Sequence, residues 1–456
     1  MLSWEFPPVV VGGLGRHVHE LSTALVAAGH EVTVVTRHAA GAPLEEYVDG
    51  VRVVRAPEDP PLFPLSTSTL LAWTMAFNHA LTRAALRAAE SGGYDLIHAH
   101  DWLVTHTAVT CKEHLGLPLV ATVHATEAGR HQGWLPGEMN KCIHSVEYWL
   151  GQEASRVLVC SGYMRWEVGR LLDLPAGKIE VIPNGVNGAR WRATPRAVAA
   201  ARARYVGEGP VVGFAGRLVY EKGVQDLIAA MPRLRAAYPG LRVVISGDGP
   251  YRQALQEEVR GRRLHRAVSF TGRLDQDELP AVLAAMDTVV VPSIYEPFGM
   301  VALEAACAGA PLAVASTGGL TEIVEPGVTG VTFPPKDPDG LAGAVGSLLA
   351  DPSFAGRVAQ DARIMVAERY GWATVARRTV EAYGSALRRA PAFEPTEASV
   401  FAGAGAGAGA GNGAGAAGAG GAAGARAAGA GVPRAAGAGA VVRPRIVVPE
   451  GNLLAL

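Results

Sequence analysis

Short β-branched runs alternate with longer amphipathic segments along this chain, in two successive series, and no other feature constrains its fold as strongly. The first series is "EVTVVT" (31–36), "VRVVRA" (51–56), "DLIHAH" (95–100), "PLVATVH" (118–124) and "SRVLVCS" (155–161). Near-continuous apolar character of this kind belongs to strands covered on both faces. Between them lie helical patterns such as "GRHVHELSTALVAAG" (15–29), which Gly29 is placed to end. The second series is "PVVGFAG" (210–216), "LRVVISG" (241–247), "AVSFTG" (267–272), "TVVVPS" (288–293), "PLAVAS" (311–316) and "GVTFPP" (330–335). Two such series predict an α/β protein of two doubly wound parallel sheets, with the boundary between "IEVIPNGVN" (179–187) and Pro210. Ligands of such sheets bind beyond the carboxyl ends of the strands, so the cleft between the domains is where chemistry is expected.

The totals agree. A chain of 456 residues exceeds one ordinary core. The net charge of −1 gives no electrostatic case for nucleic acid, which needs clustered cations. Cys111, Cys142, Cys160 and Cys307 are scattered without a C-x-x-C pair and read as small buried residues in a reducing compartment. No signal peptide is visible, and the apolar run "LLAWTMAF" (70–77) is too short to span a bilayer, so a cytoplasmic protein is expected. The apolar stretch 62–77 leaves peripheral membrane contact open, with a buried helix the preferred reading. From Ala402 to Ala440 the chain is almost entirely Gly and Ala, which predicts a disordered tail over 391–456.

Several motifs fall at strand ends. "VVVGGLGRHVHEL" sets Gly12, Gly13 and Gly15 before a helix, where amides can approach a phosphate; a tight turn explains the glycines equally well. "DLIHAHDW" places His98, His100 and Asp101 at a strand end. Histidines two apart share a strand face and could ligate a metal, but no third or fourth ligand stands nearby, so they read as polar groups lining the cleft. His124 ends the next strand. In "FAGRLVYEKGV", Arg217 and Lys222 follow a strand closely, and two cations with no acid dedicated to both suit a diphosphate.

"SIYEPFGMVALEAACAG" (293–309) carries Glu296 and Glu304, a pairing that invites a glycosidase reading. Its context favours another use. A helix starts near Gly299, so the amides of Gly299, Met300 and Val301 form an anion site. Five residues at ~1.5 Å rise put Glu304 ~7.5 Å further on. One carboxylate at each end of a nucleotide-sugar, with amides and cations between, makes a coherent site. Asp275 reads as a helix cap and Asp337–Asp339 as a turn, so neither D-x-D match calls for a metal, and none is expected to be required.

"GGLGRHVHEL", "HAHDW", "TVHATEAGRH", "IPNGV", "GRLVYEKGV" and "YEPFGMVALEA" together resemble the retaining family 4 glycosyltransferases of GT-B fold, over about residues 1–388. Within that family "SWEFPPVVVGGLGRHVHELSTAL" and "HATEAGRHQGW" are most similar to glycogen-synthase-like α-(1→4)-glucosyltransferases, including those that build methylglucose lipopolysaccharide. The resemblance implies a first domain over 1–190, a donor domain over 191–372, and a last helix, about 373–388, crossing back to the first domain. It implies that Arg217 and Lys222 bind the donor diphosphate, that Glu296 contacts the sugar hydroxyls, and that Glu304 binds the ribose. Gly13 and Gly15 would lie near the phosphates, His124 beside the reacting sugar, and Arg273 and Leu274 beside the base. Trp4 and Asp101 are the candidates for acceptor or cleft contact. Only Met1 and Leu2 precede "SWE", where the family has a full strand, so the chain either starts further upstream or has a weakened sheet edge. The implied reaction transfers glucose from UDP-glucose or ADP-glucose to an α-(1→4)-glucan or methylglucose-polysaccharide-type acceptor, with no cofactor. A mannosyl-type transfer to a lipid or other glycan, and a nucleotide-sugar epimerase, are the alternatives.

Overall fold

A computed structural model describes residues 1–57, 65–90, 92–205, 209–275 and 277–389. The expected tail, 391–456, lies outside them. The first domain runs α1 (Gly13–Ala27), β1 (Thr33–Arg37), β2 (Glu45–Val48), β3 (Val51–Ala56), α2 (Leu70–Glu90), β4 (Ile97–His100), α3 (Thr105–Leu115), β5 (Leu119–Val123), α4 (Glu127–Arg130), α5 (Glu138–Glu153), β6 (Arg156–Val159), α6 (Gly162–Leu171) and β7 (Ile179–Val181). β4 to β7 form one parallel ladder, and β1, β3 and β2 another.

Met1–Ser3 join the two ladders. Leu2 bridges Val35 of β1 and Ala99 of β4. Its amide donates to His98 O at 2.8 Å, and its carbonyl accepts from His100 N at 3.0 Å. Leu2 thus pairs on both sides through isolated bridges that link β1 to β4. A departure from the sequence expectation is antiparallel β2, paired to β3 through Asp49 and Gly50, both at positive φ. An Asp-Gly pair in that conformation makes the tight hairpin turn whose twist suits two strands.

The second domain continues with α7 (Pro195–Tyr205), β8 (Val211–Ala215), α8 (Val224–Ala237), β9 (Arg242–Ser246), α9 (Arg252–Gly261), β10 (Val268–Gly272), α10 (Glu278–Ala284), β11 (Thr288–Val291), α11 (Met300–Ala308), β12 (Leu312–Ala315), α12 (Leu320–Ile323), β13 (Val331–Phe333), α13 (Pro338–Ala350) and α14 (Pro352–Arg369). Its parallel strands lie in the order β10-β9-β8-β11-β12-β13. The last helix, α15 (Trp372–Arg389), packs on α1, β5 and β6 of the first domain. Val375, Ala376, Ala382 and Ala386 share a core there with Leu21, Leu25 and Val120. The two chain crossings between domains run side by side: Val186 N donates to Tyr370 O at 2.8 Å.

Burial corrects three side-chain expectations. Trp4 is fully enclosed, edge-on to Trp73 with centroids 6.4 Å apart, and so belongs to the core and not to the cleft. Cys142 is exposed, unlike the other three cysteines. Asp337 caps α13, accepting from Gly340 N at 2.9 Å, rather than shaping a turn alone. α2 is the buried helix expected of the apolar run, with Trp73 and Phe77 inside. Among the described residues no helix is long and apolar enough to cross a membrane.

Candidate active site

The strand order of the second domain reverses direction between β8 and β11. Crossovers leave these neighbours in opposite directions, which opens a crevice at their carboxyl ends. The loop after β8 carries Arg217 and Lys222, and the loop after β11 carries Glu296. Topology thus brings together residues about 75 positions apart. Lys222 Nζ donates to Glu296 Oε2 at 2.7 Å, and Ser293 Oγ donates to the same oxygen at 2.9 Å. Lys222 therefore has Glu296 as its partner, while Arg217 is surrounded by Glu221, Glu296 and Glu5. Glu221 contributes its carbonyl, to Ile294 N at 2.7 Å. Gly223 at φ +70 closes this turn; a Cβ there would stand 1.8 Å from Pro292 O.

Helix α11 begins at Met300, after Gly299 at φ +115. The amides of Met300 and Val301 thus have no carbonyl one turn back in the helix. Glu304 is buried one turn on, where Arg16 Nη1 meets its Oε1 at 3.0 Å. Burial raises the Glu304 carboxyl, and Arg16 opposes that rise. Arg16 stands on α1, so this ion pair spans the cleft.

The first domain answers with its own strand ends. Asp101, at φ +60 after β4, accepts from His124 N at 2.7 Å. Burial pushes its carboxyl up to about 6, against the pull of the His124 amide and Arg130. Burial lowers the His124 imidazole to about 4, so it is neutral near pH 7. His124 Nε2 lies 3.2 Å from His100 Nδ1. His98 and His100 do share a face, yet both are fully enclosed and do not line the cleft. His98 is held by Tyr383 Oη and Thr122 Oγ1, each at 2.7 Å.

In space His100 is joined as a possible ligand by His17 and His124, not by His98. His17, His100 and His124 bring ring nitrogens within 4.8 Å of one another, the group among the described residues best placed to hold a cation. His17 comes from α1, a contact that no local spacing announces. Burial holds its ring neutral as well.

Glu5 changes the reading of the glycine loop. Its Oε2 accepts from Val11 N at 2.7 Å and Gly12 N at 3.0 Å. A Cβ on Gly15 would lie 3.1 Å from that carboxylate, whereas Gly13 faces open space. Gly15 therefore makes room for Glu5.

Four further contacts dock the glutamate loop and its neighbours on the first domain. Tyr295 Oη donates to Glu167 Oε1 at 2.8 Å, and Ser161 Oγ donates to Pro297 O at 2.7 Å. Glu322 accepts from Gly162 N and Tyr163 N, both at 2.9 Å, at the start of α6. Arg273 Nη2 reaches Val10 O at 3.2 Å, while Leu274 packs partly into the core. Arg130 lies among Glu127, Asp101, Tyr295 and Glu147. Burial lowers the Arg217 guanidinium, and Arg130 across the cleft adds to that, while Glu221, Glu296 and Glu5 oppose it.

Two family models match the two halves: Glycosyltransferase Family 4 over residues 11–190 and Glycosyl transferases group 1 over 200–365. A protein named glycogen synthase from Mycobacterium tuberculosis is 46% identical over 399 residues, covering 85% of this chain and 94% of its own length. The chain is a family 4 glycosyltransferase. An uncharacterised glycosyltransferase of Methanocaldococcus jannaschii is 35% identical, covering 85% of this chain and 98% of its own. Among solved structures, the sucrose-phosphate synthase of Thermosynechococcus elongatus superposes with a TM-score of 0.73 at 27% identity, covering 84% and 97% of the two chains. The glycosyltransferase thus has the GT-B architecture its sequence predicts. Sequence reasoning missed Glu5, Arg16, His17, Arg130, Glu167 and Tyr295 in the cleft. Of these, all but Glu167 lay inside a quoted motif, and Glu5, Arg16 and Tyr295 stood directly beside residues assigned to the site.

Proposed function

We propose that this glycosyltransferase moves glucose from UDP-glucose or ADP-glucose to the 4-hydroxyl of an α-(1→4)-glucan or a methylglucose-polysaccharide-type chain, with retained anomeric configuration. The observation that carries the reading is the Arg217–Lys222–Glu296 constellation at the switch point of the second sheet, opposite Asp101 and His124. The 46% identity to a protein named glycogen synthase supports glucose and an α-glucan over other pairs.

In this reading the bond from the glucose C1 to the diphosphate oxygen breaks first, and negative charge builds on the leaving group. Arg217, Lys222 and the first amides of α11 are fixed in advance around that charge, in a partly water-excluded cleft. Both donors to Glu296 converge on Oε2, which leaves Oε1 for sugar hydroxyls. Neutral His124 offers a hydrogen bond without adding charge beside an oxocarbenium-like centre. The acceptor oxygen then bonds to C1 from the face that the diphosphate leaves, and its proton passes to the departing phosphate. Glu304 would hold the ribose and Arg273 would border the base. No step is assigned to a metal.

A donor panel of UDP-glucose, ADP-glucose and GDP-mannose, with and without maltooligosaccharides, tests the proposal. The expected result is nucleotide release together with an α-(1→4)-extended product from a glucose donor. Sugar interconversion without acceptor would mark an epimerase. Transfer only from GDP-mannose, or only to a lipid, would mark a different hexosyltransferase.

A further inference from the structure

Two tryptophans stand out in solvent on the first domain, at its rim against the second. Trp134 is 70% exposed and Trp166 is 58% exposed. Contiguous exposed aromatic surface on a soluble domain marks a binding site more often than chance. Arg170 packs on the Trp166 ring and approaches the loop that carries Trp134. The Arg170 guanidinium carbon lies 4.9 Å from the Trp166 ring centroid, and a Cβ built on Gly133, next to Trp134, would lie 3.8 Å from Arg170 Nη2. Tyr163 continues the row, its ring centroid 5.8 Å from that of Trp166.

The row is held in place. Gln132 and Gly133 both take positive φ and turn the loop sharply. Gly133 N donates to Ala128 O at 2.7 Å and Trp134 N to His131 O at 3.2 Å. Trp166 sits on α6, whose first amides are bound by Glu322 of the second domain. Gln132 itself meets Lys336 of the second domain at 3.0 Å. Both ends of the row therefore lie beside contacts between the two domains.

The chemistry of the row selects the occupant. Indole faces beside an arginine and a phenol offer apolar stacking area and hydrogen-bond donors at once. A sugar ring presents the matching pair, a face of C–H groups edged with hydroxyls. An anionic lipid surface would call for a cluster of cations, and Arg170 is the one cation in this row. We infer that Trp134, Arg170, Trp166 and Tyr163 form a second glucan-binding site that holds the acceptor polymer outside the cleft. The inference rests on the proposed glucan acceptor and adds where and how a long chain is retained. A polymer held there meets the catalytic cleft at raised effective concentration, while an oligosaccharide too short to span both sites gains nothing.

The test compares wild type with Trp134→Ala, Trp166→Ala and the double variant, with Trp166→Phe as a stacking-competent control. Native gels containing glycogen report binding without turnover, and kinetics compare glycogen with maltotetraose. The wild-type chain is expected to be retarded by glycogen, and the double variant to lose that retardation. The double variant should raise KM for glycogen about tenfold while kinetics with maltotetraose and donor stay within twofold, and Trp166→Phe should retain most of the binding. Unchanged retardation in the double variant would overturn the inference. So would a wild-type dimer in sedimentation that the double variant abolishes, because the row would then bind a second copy. If the wild type moved no glucose to any glucan, the proposed function itself would fall, a result distinguishable from loss of the rim site alone.

Discussion

Glu296 shows how much a single residue owes to its partners. Its Oε2 is tied to Lys222 and Ser293, so the carboxylate is oriented before any sugar arrives. Glu296→Gln keeps the shape but removes the charge that holds Lys222, and kcat is expected to fall about 10²-fold in the donor–acceptor assay. Glu304 makes a different prediction. Its assigned work is binding, so Glu304→Ala should raise donor KM about tenfold, roughly 1.4 kcal/mol, with kcat changed far less. A kcat loss with unaltered KM would contradict that division. Residue type and place after a strand singled out Arg217, Lys222 and Glu296 as candidates, and the structure brings Lys222 and Glu296 together. Trp4 was misplaced because an indole suits a core and a sugar equally well, and only burial decides. Arg16 was passed over because its partner, Glu304, is far away in sequence.

Elements carry the next layer. All six strands of the second sheet could be read from their β-branched runs, since buried parallel strands are apolar on both faces. The first sheet hid two features. Met1–Ser3 is too short to show periodicity, yet its amides and carbonyls fill the gap between β1 and β4. The β2–β3 hairpin did carry a signal in Asp49–Gly50, but a reading of parallel crossovers passed over it. The turn into α8 gives a test at this scale. Gly223 has positive φ and no room for a Cβ, so Gly223→Ala should destabilise the fold by at least about 1–3 kcal/mol. It should also displace Lys222, lowering kcat as well as Tm. An unaltered Tm would show that the loop can relax at no cost.

At the scale of the molecule, the two domains are linked by polar contacts at their rims and by paired chain crossings. Glu322 binds the amides at the start of α6, a favourable place for a carboxylate. Glu322→Ala should weaken closure by about 1 kcal/mol. Small-angle scattering should then show a larger radius for the donor-free variant, and donor KM should rise. The buried imidazoles between α1, β4 and β5 impose a pH dependence on the whole fold. Burial holds His98 neutral far below the usual imidazole value. Unfolding in acid lets it take up a proton, so its part of the stability is complete above about pH 6.5 and is lost as pH falls. His98→Gln removes that proton uptake, so Tm should climb less steeply between pH 5 and 7 than in wild type. Equal slopes would show that folding leaves the proton affinity of this histidine unchanged.

The central claim is that Arg217 and Lys222 stabilise the diphosphate as it leaves the sugar. The most direct measurement is kcat for Lys222→Ala at saturating donor and acceptor, beside wild type. A fall of about 10²–10³-fold is expected, because a charge placed for the transition state is lost. A kcat within about threefold of wild type, with the variant properly folded, would contradict the claim.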